Sequence, residues 1–386
     1  MRRLHRIPIA WSNLTHDKRQ LLTSVAGISF AVFLMFTEVG FLNGMYDSQV
    51  ELVHQLNADL IITNALKQTI TLHEPFSKRR LYQAMVLPGV QAAYPLYIKL
   101  YAWWKNQASR KLRPLRILAF KPEHPVFLNP DIVARATALH MPDTILIDAK
   151  SKPYFGKRQA GIVTELSGKQ IRVVGTFRLG TDFVNEGNVI MSDRNFLKHF
   201  STKRERETRL DRVEIGIVQM RPDANSAAVV AALRRALPND VSIYTKRGYI
   251  AHEMQYWRKN TPIGAIFGLG AALGFVIGVM ICYQILYTDV VDHLPQFATL
   301  KAIGYYNRYV VGVVMKQALL LSCMGFVPGL LLGKLFYGIL AHWTGLLMRL
   351  TVPRAALVLV LTVVMCAFAG SMAIRKVVST DPAEVF

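Results

Sequence analysis

The sequence predicts a membrane protein with four transmembrane α-helices and a large α+β domain inserted between helices 1 and 2. Three observations lead there. Apolar residues make up 52% of the 386 residues, yet they gather in four blocks. Each block holds about 20 residues or more, enough to cross a hydrocarbon core about 30 Å thick. Between the first and second blocks lies more than half of the chain, residues 45–261, with an ordinary globular composition.

Taken in order, residues 1–20 carry Leu4, Ile7, Trp11 and Leu14 at intervals of three or four with basic residues between them. That pattern suits an amphipathic helix lying on a membrane surface, although Pro8 speaks for a frayed tail. The first span is 21–44. It exceeds the 7 to 15 apolar residues of a signal peptide and ends in FLNGMYD, so it reads as a retained anchor.

Within 45–261, helical patterns at 43–56 and 248–260 predict two stalks, one leaving the first span and one entering the second. Tyr256 and Trp257 on the second stalk serve either as interfacial anchors or as domain packing. Between the stalks, β-branched and aromatic runs bounded by turn residues predict strands at 59–63, 94–104, 115–120, 144–148, 170–178, 188–191, 211–218 and 241–244. Helices are expected at 78–86, 195–200 and 225–237. The pieces near the stalks, 57–122 and 210–246, flank a middle subdomain, 123–209; the boundaries rest on KPEHP at 121–125 and the charged run 203–212. The remaining spans are 262–286, 310–335 and 355–374. They are separated by a polar loop, 287–309, and a short loop, 336–354, and are followed by a tail, 375–386.

Basic residues near span ends set orientation. Arg2, Arg3, Arg6, Lys18 and Arg19 put the N-terminus in the cytoplasm, hence the large domain outside and the 287–309 loop and the tail inside. Arg375 and Lys376 agree, whereas Arg349 and Arg354 in the short outer loop do not. The net charge of +21 is not a nucleic-acid signature: the domain's share, +14, is scattered, without an aromatic-interleaved patch. It fits a solvated basic surface or attraction to anionic lipid. Cys282, Cys323 and Cys366 all fall in predicted spans without paired spacing, which disfavours a metal site.

Catalytic patterns are missing from the sequence. There is no Walker A motif, no HExxH and no GxSxG, and the ten histidines lack metal-ligand spacing. His252 and Glu253 read as surface polar groups on the stalk rather than an acid/base pair. No metal and no cofactor is expected in this chain. The spans carry packing signals instead: Gly270, Gly274 and Gly278 in the second and Gly325, Gly329 and Gly333 in the third recur every four residues. Such rows form either a dimer seam or packing within one bundle. Pro328 should kink the third span. Glu38 and Lys334 are intramembrane charges that either pair or snorkel to the outer interface, with snorkelling favoured for Lys334; Lys316 should snorkel at the inner end.

One polar insert stands out, DHLPQFATLKAIG at 292–304. Pro295 suits a first helical position and Gly304 a left-handed stop, giving a helix of about two turns at the membrane surface. Phe297, Leu300 and Ile303 form an apolar stripe beside Asp292, His293 and Gln296. Periodicity alone leaves an ordinary connecting loop equally open.

The run from this insert into the third span, DHLPQFATLKAIGYYNRYVVGVVMKQALLLSCMGFVPGLLLG, resembles the signature of FtsX/MacB-type permeases. It is most similar to the DevC family, with a DHLP-x-x-ATLKA-x-G segment; AWSNLTHDKRQLLTSVAGI near the start and DPAEVF at the end agree in position and sequence. The resemblance covers all four spans, and the outer domain matches in size and placement more than by motif. It implies a permease subunit, multi-pass in a bacterial inner membrane, that pairs with a second copy as a homodimer and with a separate ATPase that binds ATP and Mg. The insert would be the coupling helix seated on that ATPase, carried by His293, Leu294, Pro295, Gln296, Phe297, Leu300, Lys301 and Gly304. The mechanism implied is mechanotransmission, as in type VII ABC transporters. ATPase closure would move the periplasmic domain, which contacts a periplasmic adaptor (a membrane fusion protein) leading to an outer-membrane TolC-like channel, with glycolipid as cargo. An FtsX-like regulator of a periplasmic hydrolase is the alternative. A membrane-anchored enzyme is disfavoured.

Overall fold

Four helices are long and apolar enough to cross a membrane. They are Lys18–Gln55, Ile263–Asp292, Asn307–Thr344 and Val352–Ser379 in a computed structural model that describes residues 11, 15, 17–201, 209–296, 299, 303 and 305–379. The chain divides into a membrane unit, residues up to 43 with 262–340 and from 348 onward, and a β-rich unit, 44–261 with 341–347. Most of the predicted surface helix at 1–20 lies outside the described residues.

In the membrane unit, Asp17 starts the first span by accepting hydrogen bonds from Arg19 N (2.8 Å) and Gln20 N (3.1 Å), a side-chain N-cap. Ile28, Ala31, Val32, Met35, Phe36 and Val39 are buried at the three-and-four spacing of one helical face. They share a core with Cys282 and Leu286 of the second span, Leu321 of the third and Met365 and Cys366 of the fourth. The third span runs on to Thr344, past the predicted end at 335. Nothing in 336–344 breaks a helix until Gly345, whose φ of 74° makes a left-handed stop. Residues 341–347 cluster with the β-rich unit.

That unit is built on a nine-stranded sheet. Its strands are β1 (Leu60–Asn64), β3 (Val90–Lys105), β4 (Leu112–Phe120), β5 (Thr144–Asp148), β6 (Val163–Leu166), β7 (Lys169–Phe177), β8 (Asn188–Ser192), β10 (Ile215–Met220) and β11 (Val241–Thr245); β2 (Phe76–Ser77) and β9 (Arg212–Val213) form a separate pair. The order is β11-β1-β10-β3-β4-β8-β5-β7-β6, and β6 also bridges back to β3 at Trp104↔Leu166, closing the last six strands into a ring. β4–β8 and β5–β7 are parallel. β3 serves both halves: Val90–Leu96 pairs with β10, and Tyr97 onward pairs with β4, across a bulge where Tyr101 takes a φ of 56°.

This moves the predicted subdomain boundary. β4 belongs to the ring, so the change of sheet falls inside β3 rather than at 121–125. β6 is also absent from the predicted strands; its signal is the Ser167-Gly168 turn, both residues with positive φ, that joins it to β7. Helices Arg79–Met85 and Ser226–Ala236 contribute Leu81, Val229 and Leu233 to one core, and the other face of the sheet packs on Leu52, Val53 and Leu56 from the end of the first helix.

The second predicted stalk is helix Lys246–Asn260, capped by Thr245 Oγ1, which accepts from Gly248 N at 3.0 Å. It does not continue into the second span. Thr261 is extended (φ −131°, ψ 146°), as a residue preceding proline prefers, and Pro262 opens the next helix. Trp257 is buried against the rings of Phe183 and Tyr256, so it packs within the domain.

Within the β-rich unit, residues 341–347 are held by three contacts. Thr181 Oγ1 donates to Thr344 O (3.3 Å), Leu347 N donates to Ser48 Oγ (3.2 Å), and Gly345 lies against Lys150 O and Thr181.

Candidate functional site between the second and third spans

The second span ends at Asp292 with its last carbonyls satisfied locally: His293 N donates to Asp289 O at 3.2 Å, and His293 Nδ1 donates to the same oxygen at 2.8 Å. Residues 294–296 and 299 are helical. Thr299 Oγ1 donates to Pro295 O (2.9 Å) and Ile303 N to Thr299 O (3.1 Å), both at the four-residue spacing of an α-helix.

The segment has two faces. Leu294 packs inward on Val290, Val313, Val314 and Ile374, while Pro295, Gln296 and Thr299 are exposed and Ile303 is 71% exposed. Of the residues expected to contact a partner, Leu294 and the half-buried His293 therefore face their own bundle, and Pro295 and Gln296 face outward. Phe297, Leu300, Lys301 and Gly304 lie outside the described residues. Beyond the segment, Tyr305, Tyr306 and Tyr309 are exposed, with the rings of Tyr305 and Tyr309 4.8 Å apart.

Beneath it is a pair the sequence did not suggest. Gln317 Nε2 of the third span donates to Asp289 Oδ2 at 2.9 Å, and both side chains are buried.

Both glycine rows pack against the first span. A Cβ at Gly270 would lie 2.5 Å from the Glu38 carboxylate, and Gly278 lies against Ala31 and Met365. Gly274 is in ordinary contact with Leu34 and Met35. On the third span, Gly325 abuts Ile28, Gly329 abuts Val32 and the Ser29 carbonyl, and Gly333 abuts Phe36; Ser29 Oγ also donates to Gly325 O at 3.0 Å. Gly40 makes room for the Tyr337 ring, whose hydroxyl donates to Phe36 O at 2.5 Å. Its sequence signal was the four-residue spacing to Gly44. Glu38 is half-buried and forms no ion pair among the described residues; Lys334 and Lys316 are exposed.

The β-rich unit corrects one expectation. Glu253 is fully buried rather than a surface group: it accepts from Thr69 Oγ1 (2.8 Å) and Ile70 N (2.6 Å), and His252 Nε2 donates to Gln68 O (3.1 Å). Burial raises the Glu253 pKa above the usual carboxylate value, against the opposing pull of its hydrogen bonds to Thr69 and Ile70. These two residues fasten the 68–70 loop to the helix. His199 Nε2 lies 2.8 Å from Asp143 on another surface of the unit; burial lowers its pKa and Asp143 opposes that shift. Among the described residues no group of His, Cys, Asp or Glu is arranged to hold a metal ion.

A family model described as FtsX-like permease C-terminal matches residues 268–382, which include this segment, most of the second span and the whole of the third. Over 378 residues, 96% of each chain, the protein is 24% identical to an uncharacterized ABC transporter permease of Mycobacterium tuberculosis. It is 23% identical over 380 residues to another from Mycobacterium bovis, again covering 96% of each. Among solved structures, the periplasmic region of MacB from Actinobacillus actinomycetemcomitans aligns with 52% of this chain and 92% of its own (TM-score 0.34, 12% identity). The extracellular domain of the noncanonic ABC-type transporter YknZ from Gram-positive bacteria aligns with 49% and 99% (TM-score 0.31, 9% identity).

Proposed function

We propose that this chain, an ABC transporter permease of the MacB/FtsX superfamily, receives the work of ATP hydrolysis at its 292–304 segment and delivers it to its β-rich domain. A permease of this class acts with a separate ATPase subunit and is not itself an enzyme; ATP and Mg bind to that partner. The observation that carries the reading is the two-faced segment, with Leu294 keyed into the bundle and Pro295, Gln296, Thr299 and Ile303 presented outward. A surface helix anchored on one side and bare on the other suits a groove on a partner.

In the full reading, two copies and two ATPase subunits form the unit, with the segment and both termini on the cytoplasmic side. Basic residues before the first span support that orientation. The domain between spans one and two then lies in the periplasm, engages an adaptor and a TolC-like duct, and exports an amphiphilic cargo, for which the DevC-like segment suggests glycolipid. Cargo need not cross between the spans, since the small-residue faces there are filled by the first span.

Co-purification in mild detergent tests the assembly: an ATPase together with an adaptor supports export, and recovery without any ATPase sinks the reading. A sharper test is Phe297→Ala and Leu300→Asp in the reconstituted complex. Both variants should insert normally and lose export and stimulation of hydrolysis by about tenfold or more, the loss of one or two interface anchors. Full stimulation and export in both would remove the segment from the mechanism.

A further inference from the structure

The second and third spans flank the 292–304 segment. What joins the second span to the third at the segment's base is small and specific. Asp289 lies one turn before the end of its helix, and its Oδ2 accepts from Gln317 Nε2 at 2.9 Å. Gln317 has no exposed surface and Asp289 has almost none. Around them Val290 and Leu294 meet Val313 and Val314.

Apolar contacts between helices tolerate sliding, because one methyl group serves nearly as well as the next. A hydrogen bond between two buried polar groups does not, since breaking it strands both away from water. Polar side chains inside membrane helices call for an explanation, and a bond that fixes register supplies one.

We infer that Asp289 and Gln317 are positioning residues that lock the adjoining ends of the second and third spans together, so that displacement of the 292–304 segment moves both spans as one body. The inference rests on the coupling role proposed above. Without the lock, a push on the segment would bend its junctions and dissipate before reaching the β-rich unit.

The test uses the full chain with its ATPase in lipid nanodiscs, carrying an environment-sensitive dye on Leu66→Cys, an exposed position in the β-rich unit, after replacement of the three native cysteines. Asp289→Leu and Gln317→Leu, made together, place apolar groups in an apolar setting and leave neither polar group buried without its partner, which spares the fold. The double variant should keep the co-purifying ATPase and its basal hydrolysis while reducing the ATP-driven fluorescence change about tenfold. Asp289→Asn, whose side-chain oxygen accepts the same bond, should retain about half of the change or more.

A double leucine variant that responds like the parent would overturn the lock. So would an Asp289→Asn response as low as that of the double leucine variant, because a charge rather than the bond would then be at work. Loss of ATPase co-purification would overturn it too, by making the pair part of the docking surface. A parent complex that shows no ATP-driven change would overturn the coupling reading itself, and the lock with it.

Discussion

In the β-rich unit charged side chains are buried in sets that satisfy one another, whereas the membrane unit brings its helices together over glycine. Arg116 illustrates the first case. Its Nη1 lies 2.6 Å from Asp182 Oδ2 and its Nε donates to Asn188 Oδ1 at 2.9 Å; Asn188 Nδ2 in turn donates to Asp148 Oδ2, which also accepts from Gly180 N. Gly329 illustrates the second, with the first span's Val32 and Ser29 where a side chain would go. The difference follows from the solvent. In water, burying apolar surface drives folding strongly enough to carry desolvated ions, provided that each is paired. Between helices in lipid that drive is absent, and close van der Waals approach replaces it.

The comparison predicts unequal losses. Removing one partner of the buried pair should cost most: Asp182→Ala leaves the Arg116 guanidinium buried and uncompensated, a loss of about 3–5 kcal/mol, seen as a lower melting transition of the β-rich unit. A smaller loss would mean that Asn188 alone suffices. Next comes Gly329→Ala, whose new methyl would meet Val32 Cγ1 at 2.6 Å and the Ser29 carbonyl at 2.9 Å. Overpacking of that kind costs about 1–3 kcal/mol and should appear as reduced thermal stability in detergent. Tolerance of the methyl would show that the spans part easily.

A third prediction sharpens the β-rich side. Burial raises the folded-state pKa of Glu253, so this group contributes fully below the ordinary value of 4.5 and loses stability as pH rises through its folded value. The melting temperature of Glu253→Gln minus that of the parent should therefore climb with pH from about 4.5 upward and then level off. A difference that is flat or falls over that range would mean that the Thr69 and Ile70 bonds hold the carboxylate ionised. The smallest effect belongs to Lys334→Met: the side chain is exposed, and stability should change by no more than about 0.5 kcal/mol in the same detergent melts.

What the sequence revealed of each unit follows the same physics. Runs of about 20 apolar residues have no common alternative to a span, so the four helices and the inserted domain were legible. Their ends were less so, because Tyr337, His342 and Trp343 lower the apolar character of the third span without breaking its helix, and Tyr337 finds its partner only on the first span. The glycine rows announced close approach but not the helix that approaches. Glu253 misled, since a carboxylate on a polar helix reads as solvent-facing until Thr69 and Ile70 are brought to it from far along the chain. Asp289 and Gln317 carried no signal either: each looks like a polar residue near a span end, and their relation exists only once the two helices lie side by side.

The short run 341–347 alters what counts as the inserted domain. Because Thr344, Gly345 and Leu347 are bonded or packed to Thr181, Lys150 and Ser48, the β-rich unit is discontinuous in sequence, one long piece completed by a seven-residue one. A soluble fragment cut at 44 and 261 is therefore not the whole fold. To study that domain free of the membrane, the heptapeptide must be spliced back in through a linker or supplied as a separate peptide.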